Sequence, residues 1–141
     1  MIASTPIPGE DERFRRALLD AHLPIDDLDD AGRSFFRIER DGQLLGFGGY
    51  ELYGQDALLR SVAVPQESRG TGAGRAVVEV MLREIGNAGG KRVYLLTTSA
   101  AAFFEHLGFV RTDRLDAPAA ILGTRQASSI CSSAALLSRT I

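Results

Sequence analysis

The stretch "RSVAVPQESRGTGAGRAVVEVML", Arg60 to Leu82, constrains the fold more than any other part of the chain. A strand-like apolar run ends at Pro65, glycines follow at Gly70, Gly72 and Gly74, and a helical pattern then begins. A turn that leaves a strand and enters a helix exposes backbone N–H groups, and the helix N-terminus adds partial positive charge. Such a turn is an anion site. Glycine lets the main chain take positive φ and approach a phosphate closely, while Arg69 and Arg75 bracket the turn with charge. Spacing excludes both common nucleotide loops. No Gly-Lys-Ser/Thr follows a four-residue gap, and Arg75 and Val77 stand where a dinucleotide fingerprint needs its third glycine.

The flanking pattern predicts an α+β fold. Glu10, Asp11 and Glu12 precede Phe14, Ala17, Leu18 and Ala21, which fall at helical spacing until Pro24 closes the segment. "PIDDLDDAG" reads as a short acidic loop, in which Asp26, Asp27, Asp29 and Asp30 form a solvated face without the Gly and distant Glu of a calcium loop. The period then changes. "SFFRIER", "QLLGFGGYELY" and "ALLRSVAV", broken at Asp41-Gly42 and Gly54-Gln55-Asp56, predict three consecutive antiparallel strands. After the turn, Val77, Val78, Met81, Leu82 and Ile85 form an apolar stripe opposite Arg75, Glu79 and Arg83, ending near Gly86 to Gly90. "RVYLLTT" predicts a strand reached by a parallel crossover. "AAAFFEHLGF" predicts a short helix with Phe103, Phe104 and Leu107 on one face, a left-handed cap at Gly108 and its apolar contact at Phe109. "AALLS" reads as a last strand.

The 141 residues fit one domain, 1–141, and a formal charge of −2 excludes the strongly basic footprint of a nucleic-acid binder. A small-molecule site is expected instead. No run approaches the roughly 18 apolar residues of a membrane span, and "MIASTPIPGEDERFRR" lacks the charged start and apolar core of a secretory signal. A single cysteine, Cys131, leaves no internal disulfide and predicts a cytoplasmic protein. Soft-metal sites gather several thiolates, so Cys131 reads as a small packed residue and no metal is expected.

Arg69-Gly70-Thr71-Gly72-Ala73-Gly74 resembles the acyl-CoA loop (Q/R)xxGx(G/A) of the GNAT acetyltransferase superfamily. "SVAVPQESRG" ahead of it is similar to that family's approach strand, and "FFEHLGF" to its second signature. Within the superfamily, "YGQDALLRSVAVPQESRGTGAGRAVVE", "YLLTTSAAAFFEHLGF" and "DAPAAILGTRQASSICSSAALL" resemble the subgroup associated with arsenic-resistance operons. The resemblance implies a mixed, mostly antiparallel sheet flanked by helices, and acetyl transfer from acetyl-CoA to the amine of a small molecule. It implies that Arg69, Gly70, Thr71, Gly72, Ala73, Gly74 and Arg75 hold the pyrophosphate, and that the backbone of Val62 and Val64 pairs with the pantetheine arm until Pro65, which has no N–H, ends that ladder. The thioester would lie where the fourth and fifth strands splay.

Direct transfer requires a neutral amine, and an alkyl amine with a pKa near about 10.4 is almost wholly protonated at neutral pH. A general base is therefore needed, and Glu51, inside a predicted strand, is the candidate; the alternative is a solvent-facing carboxylate. Arg60 interrupts an apolar strand, and a buried guanidinium needs a partner. It either pairs with Glu51 or holds an anionic group of the acceptor, depending on strand register. Ser61 neighbours both. The tyrosine that the family often uses to protonate the departing thiolate falls on Phe104, which carries no proton to give; Phe104 is kept with Arg60 and Ser61 as a substrate-contact position. Water, Tyr50, Tyr53 or Tyr94 is left as the source of that proton. The alternative function is a catalytically weak acyl-CoA-binding sensor. His22 and His106 read as cations that complement helix ends. A homodimer is left open.

Overall fold

Seven strands and four helices organise the residues that the computed structural model describes, 1–125, 127 and 134–141. Cys131 lies outside the described residues. The order is β1 (Ile2–Ile7), α1 (Glu12–Asp20), β2 (Arg33–Arg40), β3 (Gln43–Tyr53), β4 (Asp56–Ala63), α2 (Ala73–Asn87), β5 (Arg92–Thr97), α3 (Ala101–His106), β6 (Val110–Arg111), α4 (Ala119–Leu122) and β7 (Ala135–Thr140). The strands form one mixed sheet in the order β1-β2-β3-β4-β5-β7-β6. β1 and β2 pair antiparallel from Ile2↔Arg40 to Ile7↔Phe35, and β2 and β3 antiparallel from Arg33↔Glu51 to Arg40↔Gln43. β4 and β5 run parallel through Asp56↔Arg92, Ala57↔Val93 and Leu58↔Tyr94, the crossover that the intervening helix requires. β7 pairs antiparallel with β5 and with β6. The expected α+β architecture, a mostly antiparallel sheet flanked by helices, is the one observed.

The chain divides into two units, Met1–Glu51 with Leu59–Glu84, and Leu52–Leu58 with Ile85–Ile141. In the first, α1 begins where Asp11 Oδ1 accepts from the Phe14 N–H at 2.9 Å. Its inward residues Phe14 and Leu18 pack with Leu28, Phe35, Phe47 and Ala63, the Phe14 ring lying 4.9 Å from Phe35 and 5.5 Å from Phe47. Each of these buried leucines and phenylalanines contributes about 1.5–3 kcal/mol. The stripe Val77, Val78 and Met81 of α2 is buried while Arg75, Glu79 and Arg83 are exposed, as the periodicity predicts.

In the second unit Leu58, Tyr94, Ile121 and Leu136 form the core, with Tyr53, Leu96 and Ala117 against it. α3 ends in the predicted cap. Gly108, at φ 89°, donates to Glu105 O at 3.1 Å, Phe109 donates to Phe104 O at 3.1 Å, and the rings of Phe104 and Phe109 meet edge-on at 5.7 Å.

Three elements depart from the sequence reading. β1 occupies residues that the sequence reading weighs only for their lack of a secretory signal. It lies at the sheet edge, where Pro6 is tolerated because no second neighbour needs its missing N–H. β6 and α4 span two and four residues, too short for any periodicity to show.

Candidate active site

The glycine turn sits in the first unit, between β4 and α2. Gly70 and Gly72 both take φ 79°, a conformation that side chains with a Cβ rarely adopt, and a Cβ built on either meets nothing within 4 Å. The turn therefore opens outward. The Ala76 N–H donates to Gly72 O at 3.1 Å, so helical bonding starts there and the N–H groups of Ala73, Gly74 and Arg75 precede the helical ladder. Thr71 Oγ1 donates to Ser68 O at 2.5 Å and Ser68 Oγ to Leu44 O at 2.9 Å, which ties the turn to β3. Arg69 Nε donates to Val64 O at 3.1 Å, fastening the turn to the chain that leaves β4, and Arg75 reaches Glu79 at 2.9 Å on an exposed helix face. Both arginines are exposed. Val62 and Val64 are half-buried, Val62 within β4 and Val64 just beyond it.

Glu51, Arg60 and Ser61 come together, joined by a residue that the sequence reading put elsewhere. Arg60 NH1 donates to Glu51 Oε2 at 2.8 Å and to Asp27 Oδ2 at 2.7 Å, and NH2 donates to Asp27 Oδ1 at 2.6 Å. Nε donates to Ser61 Oγ at 3.2 Å, and the guanidinium lies over the Phe35 ring, 5.6 Å from its centroid. Glu51 is 1%, Asp27 2% and Arg60 3% exposed. Arg33 adds a second guanidinium, its NH2 3.3 Å from Asp27 Oδ2 and its Nε 3.9 Å from Glu51 Oε2. Asp27 is thus no part of a solvated acidic face. A guanidinium buried in β4 demands a bidentate acceptor, and the loop before β2 supplies one. Asp26, Asp29 and Asp30 are exposed, as the sequence predicts.

The electrostatics follow from this geometry. Burial by itself would raise the Asp27 pKa, but the hydrogen bonds and charge of Arg60, and then of Arg33, outweigh it and hold the carboxyl below its ordinary value. Burial would likewise lower the Arg60 pKa, yet Asp27 and then Glu51 raise it. The guanidinium, enclosed and engaged at all three nitrogens, serves this chain's own carboxylates. Of the two roles expected for Arg60, the pairing with Glu51 is the one observed.

Ser61 has φ 58° within a strand, a conformation that costs a residue with a side chain about 1–3 kcal/mol and persists only where its surroundings fix it. In the second unit Phe104 is buried between Phe103 and Phe109. Tyr94 is 2% exposed, and burial pushes its phenol above the usual range, so it keeps its proton. His106 closes α3 and is exposed. Among the described residues no group of three or more His, Cys, Asp or Glu is placed to hold a metal, and no helix is long and apolar enough to cross a membrane.

The fold has counterparts in known proteins. Residues 2–109 match the acetyltransferase (GNAT) family, and the chain belongs to that family, whose members are acyl-CoA N-acyltransferase enzymes. N-acetylglutamate synthase from Neisseria gonorrhoeae, solved with coenzyme A and N-acetyl-glutamate, superposes with a TM-score of 0.80 at 14% identity over 99% of this chain and 35% of that one. This chain therefore spans about a third of that synthase. Rv2747 from Mycobacterium tuberculosis, solved with CoA, gives 0.77 at 17% identity over 99% of both chains. The ribosomal-protein-S18-alanine N-acetyltransferase from Escherichia coli gives 0.68 at 17% identity over 100% of this chain and 94% of that one. No curated protein sequence matches this chain.

Proposed function

We propose that the protein transfers an acetyl group from acetyl-CoA to the amine of a small molecule. The observation that carries this reading is the outward-open turn at Gly70 and Gly72, at the head of the 15-residue helix α2. Its unladdered N–H groups at Ala73, Gly74 and Arg75, with the exposed charges of Arg69 and Arg75, suit a diphosphate. The backbone of Val62 and Val64 offers strand-like pairing to the pantetheine arm. In the transfer, the amine nitrogen forms a bond to the thioester carbon, the carbon–sulfur bond breaks, and CoA leaves as thiolate. The amine proton passes through water to Glu51, whose carboxylate is too enclosed to meet the acceptor directly. A thiolate with a pKa near about 8.5 leaves without obligatory protonation, which makes Phe104 compatible with turnover.

The neighbouring structures include enzymes whose names specify amino-acid and protein amines, and both guide the acceptor panel. An amine-bearing organoarsenical belongs in it on the strength of the sequence likeness to the arsenic-resistance subgroup. Purified protein incubated with acetyl-CoA and this panel is expected to release free thiol with at least one amine; silence across the panel removes the reading. Gly72→Val, which forces a β-branched residue to positive φ and fills the open side of the turn, is expected to raise the acetyl-CoA KM roughly tenfold or more. Glu51→Gln is expected to lower kcat by about 10²-fold with that KM largely retained. Equal effects of the two changes on both constants would show these roles to be wrong.

A further inference from the structure

We propose that Asp27 is a positioning residue for this transfer: by holding Arg60 bidentately it balances the two guanidinium groups that face Glu51 and keeps that carboxylate able to take a proton. The inference rests on the reading of Glu51 as general base.

The geometry divides the Arg60 donors unequally. Asp27 takes NH2 outright at 2.6 Å and shares NH1 at 2.7 Å, while Glu51 receives only the remaining part of NH1 at 2.8 Å. Arg33 stands on the other side, from β2. Its Nε is buried without a hydrogen-bond partner and lies 3.9 Å from Glu51 Oε2, beyond hydrogen-bond reach but well within charge range. Asp30 Oδ2 is 3.9 Å from Arg33 NH2 at the exposed rim. Two guanidinium groups and two carboxylates thus form an enclosed set of zero net charge. Without Asp27, Glu51 would be the sole enclosed anion between two cations, and a proton on it would be strongly disfavoured. With Asp27 present, the positive field is shared. The same arrangement aims Arg60 Nε at Ser61 Oγ, where β4 takes its positive φ immediately before Val62. A buried ion network seldom adds more stability than apolar packing of the same volume, so stability alone is a weak reason for four charges here.

The test is the pH profile of kcat at saturating amine for wild type, Glu51→Gln, Asp27→Asn, Asp27→Glu and Arg33→Gln. Asp27→Asn removes a negative neighbour of Glu51 and is expected to move the acidic limb down, lowering kcat and leaving the acetyl-CoA KM unchanged. Arg33→Gln removes a positive neighbour and is expected to move the limb up. Asp27→Glu restores the wild-type limb. Shifts of opposite sign cannot come from a merely structural role, which would lower melting temperature and active fraction while leaving the limb in place. An unmoved limb in both charge-removing variants overturns the role of Asp27. If Asp27→Asn does not fold, Arg33→Gln, altered from the partly exposed side, decides alone. An acidic limb that survives in Glu51→Gln overturns the base itself, and the proposal with it. A limb lost in Glu51→Gln but unmoved by Asp27→Asn and Arg33→Gln removes only the inference about Asp27.

Discussion

At the scale of single residues, what a side chain does depends on partners that lie far away in the chain. Arg60 was legible as an anomaly, a guanidinium in an apolar strand, and Glu51 as a nearby carboxylate. Asp27 was not, because it stands 33 positions earlier in a run of aspartates whose composition reads as solvated, and only the folded loop distinguishes it from Asp26, Asp29 and Asp30. His22 shows a smaller version of the same effect. Its place beside a helix end was readable, but its backbone state was not: it takes φ 57°, with its N–H donating to Leu19 O at 3.1 Å and the Leu23 N–H donating to Leu18 O at 2.8 Å. That is the left-handed closing position of α1, which glycine occupies at lower cost. His22→Gly is therefore expected to stabilise the protein by about 0.5–1 kcal/mol, the relief of left-handed strain exceeding the added freedom of the unfolded chain. Thermal melts should show a rise of about 2–4 °C. A fall would mean that the imidazole contributes more than its backbone costs.

At the scale of elements, legibility followed periodicity and punctuation. α2 and the turn before it were clear because five apolar residues recur at helical spacing directly after three glycines, and α3 because its Leu-Gly-Phe ending encodes a specific cap. β1 was not, since an edge strand with Pro6 and partly exposed faces has little alternation to display. The β3 glycines carry information that only packing reveals. A Cβ at Gly46 would lie 2.6 Å from Ala63 O, a backbone atom, and 3.0 Å from Val77 Cγ2. At Gly46 the β3 backbone is thus packed directly against both β4 and α2. Gly46→Val is expected to destabilise by about 1–3 kcal/mol through overpacking. In urea the midpoint should fall with the slope unchanged. A wild-type midpoint would show that the sheet can yield at this point.

At the scale of the whole molecule, the formal charge of −2 says little about stability, because the charges that matter most are enclosed and cancel one another. Asp27 has a folded pKa below its ordinary value, so its ionisation favours the folded state at every pH above the unfolded value near about 3.9. That contribution is lost as pH falls through the folded pKa. Arg60 is raised instead, so its contribution is fully present below its unfolded value and would fade only in strong alkali. Between neutrality and mild acid these two contributions are therefore constant, and that of Asp27 is lost only below about pH 4. Asp27→Asn removes one partner of an enclosed pair and is expected to cost about 3–5 kcal/mol at pH 7, a fall in melting temperature of about 10 °C. Protonation of Asp27 in the wild type imposes the same loss of charge. The melting temperatures of wild type and Asp27→Asn, measured from pH 7 to pH 2.5, should accordingly differ most at neutral pH and converge in acid, with the wild-type curve descending toward the variant. Parallel curves through that range would mean that Asp27 does not titrate with unfolding and that Arg60 is held by Glu51 alone.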